Sequence, residues 1–157
     1  MEYQVGQLGR VIVIRGFDGE DVYAGIEGIA AAEGIRSAAV LVVGGLRAAK
    51  VVAGPKDPHG PIEPMYDQFD DAREIAGVGT IFHDGAAPRL HMHGAIGRSG
   101  EKTLAGCPRG GATVFCVLEV VIIEITGTAA ARTLDPDIGL KLLRLAGGST
   151  FAAAVKP

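Results

Sequence analysis

The sequence predicts an α+β domain: a mostly antiparallel sheet of about six or seven strands with one flanking helix. Three observations carry this expectation. Runs of β-branched residues recur along the chain, only one stretch has firm helical spacing, and short turn signals separate most of the runs. Residues 1–157 read as a single domain, with a core over about 8–145 and a mobile tail over about 146–157.

The first strand is Gly9 to Arg15, built on Val11-Ile12-Val13-Ile14. Asp18 then stands as an N-cap, with Glu20 and Asp21 near the positive end of a helix. Val22, Ile26 and Ile29 follow at helical spacing, and Gly34 stops the helix, which spans about 19–33. Ala38–Val43 and Ala48–Val52 read as two strands of a hairpin, turned by Gly44-Gly45. The chain from Gly54 to Pro64 is broken by four prolines and reads as a loop or edge segment.

Arg73–Phe82 is the next strand, broken near Gly77 and Gly79. Asp84-Gly85 makes a turn before the strand Arg89–Gly97. Ser99–Gly111 reads as a glycine-rich loop containing Cys107, and Thr113–Thr126 as the strongest strand. Asp135-Pro136-Asp137 is a turn, and the leucines from Leu140 to Leu145 fit a short helix or a final strand equally well.

Composition excludes several classes. The hydrophobic fraction is 48% and the charged fraction 21%, which suits a soluble globular chain with a Val, Ile, Leu and Ala core. The formal charge of −3 disfavours a stand-alone DNA binder, since such proteins neutralise phosphates with Lys and Arg. The nearest basic cluster, Arg98 to Lys102, contains Glu101 and reads as a solvated loop, so no nucleic-acid-binding residues are assigned. Apolar runs are too short for a membrane span, no signal-peptide pattern opens the chain, and a cytoplasmic location is expected. Two cysteines make no disulfide framework, and Cys116 reads as a buried small hydrophobe.

The chemical clue is His91-Met92-His93. Alternate residues of a strand share a face, so both imidazoles project together, away from Met92. Cys107 lies fourteen residues beyond His93. Its thiolate would complete a three-ligand set for a divalent metal, with zinc the favoured ion. Glu119 interrupts an apolar strand. Its two readings are a partner or general base near the metal, and a Glu paired with Arg or exposed at an edge. Arg109 with Gly110-Gly111 could hold an anion, although no helix follows to strengthen that reading. No nucleophile triad, phosphate loop or dinucleotide fingerprint is present.

Several short pieces recur in a telling order. They are Gly19-Glu20-Asp21, Val43-Gly44-Gly45-Leu46, Arg73-Glu74-Ile75, Gly79-Thr80-Ile81, Leu90-His91-Met92-His93 and Glu119-Val120. Together they resemble the plants-and-prokaryotes conserved (PPC) domain, which follows the AT-hook in plant AT-hook nuclear proteins, over about residues 8–145. The resemblance implies an antiparallel sheet with flanking helices and a homotrimer. It also implies a metal site from the His-x-His pair and a later His in a Gly-Gly-His-Leu motif.

Here that motif reads Ala105-Gly106-Cys107-Pro108, so Cys stands in the place of His. The family is labelled DNA-binding, but the plant members contact DNA through the hook, which this chain lacks. The plant domain recruits other regulatory proteins through Gly-Arg-Phe-Glu-Ile-Leu, of which Arg73-Glu74-Ile75 survive. Two functions are therefore expected to compete: a binding or regulatory module acting through itself and partner proteins, and a small hydrolase-like metal enzyme.

Overall fold

Asp21, rather than Asp18, caps the helix: its carboxylate accepts a hydrogen bond from the Ala24 amide at 2.8 Å. Asp18 is drawn away by other partners. It accepts from the Cys116 amide at 2.8 Å and pairs with Arg47. The helix α1 spans Val22–Ala32, and the amide of Gly34 closes its end on the Ala31 carbonyl. Val22, Ile26 and Ala30 are buried. Burying a Val or Ile side chain contributes roughly 2 kcal/mol, against about 1 kcal/mol for a cap, so packing holds this helix more than its cap does.

The computed structural model describes residues 1–59 and 62–150. Its strands are β1 (Glu2–Tyr3), β2 (Gln7–Phe17), β3 (Ser37–Pro55), β4 (Pro64–Phe69), β5 (Arg73–His83) and β6 (Pro88–Gly97). There follow β7 (Leu104–Thr126), β8 (Ala130–Leu134), β9 (Lys141–Leu145) and β10 (Ser149–Thr150). The main sheet has six strands in the order β2-β7-β6-β5-β3-β4, and every pairing is antiparallel. The expected class, a mostly antiparallel sheet with one helix, is the one observed.

Several boundaries differ from expectation. The hairpin over 38–52 is one 19-residue strand, β3. Gly44 does not turn the chain back; it lets β3 cross β7 closely. Its φ is +133°, and a Cβ there would lie 2.5 Å from the Val117 carbonyl oxygen. The register jumps at this point, since Gly44 faces Leu118 and Gly45 faces Phe115. The extra residues make a β-bulge, which bends the ribbon. Cys116 sits in that bulge with φ +62° and is exposed, not buried.

The glycine-rich segment before Thr113 is not a loop from Leu104 onward, but the first half of β7. Gly77 and Gly79 do not break β5. Part of the proline-rich segment falls on residues 60–61, outside those described, and Pro64–Phe69 pairs with β3 as an edge strand.

The leucines after Leu140 form β9, a hairpin partner of β8. The tail is partly structured, because Ser149–Thr150 pairs with β1; residues 151–157 lie outside the description. No helix among the described residues is long and apolar enough to cross a membrane.

The pairings β3–β5, β5–β6, β6–β7 and β7–β3 form a closed cycle. Inside it pack Val40, Val42, Leu46, Ile75, Ile81, Met92, Ile96 and Val120. The outer face is different. One cross-strand row runs Val13–Val121–Leu41–Val78–His93, and the next runs Val11–Ile123–Ala39–Thr80–His91. Val11, Val13, Leu41, Val43 and Val78 are all exposed on it. An apolar outer surface therefore runs up to the two histidines.

Candidate metal centre

Strand alternation places Met92 in the core and turns His91 and His93 outward on β6. Gly94 pairs with Gly106, so continuing the antiparallel register sets Cys107 opposite His93 on the same face. The ligand atoms of His91, His93 and Cys107 all lie within 4.8 Å of one another. No other His, Cys, Asp or Glu group of this kind occurs among the described residues.

The two Nε2 atoms are 3.1 Å apart, and the rings meet edge to face at 78°. Nitrogens sharing one tetrahedral zinc stand roughly 3.3 Å apart, given bonds of about 2.0–2.1 Å. The donor set and its spacing fit a borderline-soft divalent ion.

Burial holds the His91 pKa down at about 4, helped by the positive charges of Arg132 and Arg109 and by His93. Its imidazole is therefore neutral at pH 7, the form that ligates a metal. The shift also predicts a pH effect. The unfolded chain takes up this proton near 6.5 and the folded chain only near 4. Between those values the unfolded state binds more protons, so stability falls as pH drops from about 6.5 toward 4. Thermal melts of chelator-treated protein at pH 7 and pH 5 should show this loss, and His91→Ala should flatten it.

Sequence reasoning missed two neighbouring features: the Tyr23–Glu27 pair on α1, and Arg132. Tyr23 reaches Cys107, Oη to Sγ 3.9 Å. Burial first, then Cys107, pushes the phenol well above its usual pKa, so it stays protonated. Glu27, one helical turn later, accepts from the Leu90 amide at 2.9 Å and from Arg89 at 3.0 Å. The spacing of Tyr23 and Glu27 was the available signal, since i and i+4 share a helix face.

The second neighbour is Arg132 on β8. It donates to Thr80 Oγ1 at 3.3 Å and lies over the Phe82 ring. Asp84 ties the β8–β9 hairpin down: it bonds Lys141 at 2.7 Å and Arg89 at 3.2 Å, and its own turn amides at Ala86 and Ala87. Those bonds, Lys141 first, hold its carboxyl far below the usual range. Asp84 thus combines the expected turn role with a structural tie to β9. Glu119 is exposed, in register with Val43 and Arg15, and is not part of the ligand group. The three donor side chains open on a cleft of about 770 Å³.

The family model for the Plants and Prokaryotes Conserved (PCC) domain matches residues 3–126. The chain belongs to this family. PPC and PCC are two abbreviations of the same domain name.

Among solved structures, a metal-containing protein from Archaeoglobus fulgidus is similar at 24% identity and TM-score 0.78, covering 90% of this chain and 98% of its own. A PPC protein from Pyrococcus horikoshii is similar at 21% identity and TM-score 0.77, with coverage of 92% and 97%. A candidate DNA-binding protein from Bacteroides thetaiotaomicron follows at 20% identity and TM-score 0.72, with coverage of 91% and 99%. At these identities the likeness establishes the PPC fold. A search of curated proteins finds no match.

Proposed function

We propose that this PPC domain is a homotrimeric metal-binding module, with zinc held by His91, His93 and Cys107. The observation that carries the reading is the convergence of three metal-donor atoms within 4.8 Å. The metal-containing relative supports it. Self-association is supported by the apolar rows on the outer face, which end at the histidines. Patches of this kind mark association surfaces. The module acts in regulation through itself and partner proteins. A relative carries a DNA-binding description, but the acidic balance of this chain argues against direct phosphate contact.

A second reading is favoured by the cleft, whose size is that of a small-ligand pocket. Three protein ligands leave a fourth position for water or substrate, the arrangement of catalytic zinc. A bound ion would supply Lewis acidity and an activated water for hydrolysis. Tyr23 would donate a hydrogen bond from its protonated hydroxyl.

Native mass spectrometry reads assembly and metal together. The expected mass is three chains with one ion each, and Leu41→Asp should shift it to a single chain. A wild-type mass of one chain would remove the assembly, and a metal-free mass would remove the centre.

A further inference from the structure

Two arginines beside the ligands have no carboxylate partner among the described residues. Arg109 follows Cys107 by two residues on β7, at a shift in the β3–β7 register between the Val51–Pro108 and Lys50–Gly110 pairs, and it lines the same cleft as Cys107. Arg132 bonds Thr80, which pairs in register with His91. Both line the cleft with the three ligands. Most other arginines are committed elsewhere: Arg10 to Glu124, Arg47 to Asp18, Arg73 and Arg98 to Asp71, Arg144 to Asp135.

The cleft holds Arg89, Arg109, Arg132 and Lys141 against two carboxylates, Glu27 and Asp84. Arg89 and Lys141 already occupy both carboxylates. The positive charge that no carboxylate matches thus belongs to Arg109 and Arg132, in a chain whose net charge is −3. Arg132 is partly buried, and burial first, then the positive charge of Arg109, disfavours its charged form, while Cys107 acts the other way. A partly buried cation sharing a cleft with a second cation is costly unless an anion compensates them. Guanidinium forks match the oxygens of a carboxylate or phosphate.

We propose that Arg109 and Arg132 form an oxyanion-binding site in this cleft, which takes a small organic ligand by its carboxylate or phosphate group beside the His91–His93–Cys107 cluster. The inference rests on the reading of this cleft as the functional site, and it names the ligand class. Tyr23 adds a neutral donor at the wall of the same cleft. Arg132 lies beyond residue 126, where the family match ends, so this half of the site belongs to the β8–β9 hairpin. The Asp84–Lys141 bond then acquires a purpose: it fixes the hairpin that carries Arg132.

Calorimetric titration of the full chain with inorganic phosphate and with succinate, at constant ionic strength, tests the site and separates the two anion sources. At least one probe should bind, and Arg132→Gln and Arg109→Gln should each weaken it about tenfold or more. Arg36→Gln, an exposed arginine outside the cleft, should leave binding unchanged. Circular dichroism confirms that each variant is folded.

Failure of both probes to bind overturns the proposal, as does wild-type affinity in the two cleft variants. A short DNA duplex that displaces the bound anion would also overturn it, by moving the ligand to nucleic acid. Metal content is read separately by mass spectrometry. Protein that binds an anion but takes up no metal keeps the arginine site and ends the metal reading. Protein that holds metal but ignores both anions does the reverse.

Discussion

Replacing both His91 and His93 with alanine is expected to lower zinc affinity more than about 100-fold. Groups that merely orient a metal ligand carry 10–100-fold in affinity, so the loss of two direct donors exceeds that range. The pair is a cleaner probe than Cys107. Cys107 is 3% exposed and packs beside Tyr23, so its removal also opens a buried gap. His93 is exposed and His91 only partly covered, and neither belongs to the core cluster.

The double variant should therefore melt within a few degrees of the wild type once both are stripped of metal. Zinc competition with a chromogenic chelator measures the affinity, and elemental mass spectrometry the content. Full metal retention by the folded double variant would exclude the two imidazoles as ligands.

The histidines were legible because their information is local. A His-x-His on a strand needs only period-two alternation to place both rings on one face. Cys107 was assigned for a partly mistaken reason. Its segment reads as a returning loop, whereas it is a strand whose pairing with β6 ends at Gly106–Gly94, the residues next to Cys107 and His93. Glycines misled the reading wherever they serve close backbone approach instead of turns, as at Gly44 and Gly106. Nothing local distinguishes those uses, because the approaching backbone belongs to a distant strand.

Arg132 was invisible for a related reason. Its strand pairs with the leucine-rich segment, and that pattern alone fits helix and strand alike. Cys116 shows the same limit, since an apolar run does not announce the bulge that exposes it.

Gly106 gives the largest expected effect on the fold. A Cβ there would collide with the Val52 carbonyl oxygen, and would lie 3.0 Å from Val51 Cγ1. The first obstacle is backbone in the β3–β7 pairing, which cannot swing aside as a flexible side chain can. Gly106→Val should cost about 3 kcal/mol, at the upper end of overpacking penalties. In a domain of this size that lowers the melting temperature by roughly 10 °C.

Gly110, on the same strand, supplies the contrast. Its Cβ would meet only Lys50 Cβ, at 3.8 Å. Gly110→Val adds β-propensity without a clash, so its midpoint in urea should match or slightly exceed the wild type. The distinction also reaches the site, because Gly106 precedes Cys107 and pairs with Gly94, next to His93. Gly106→Val should lose metal together with stability, while Gly110→Val keeps both. Equal urea midpoints for the two variants would mean that the close approach of β7 to β3 is not what sets Cys107 against the histidines.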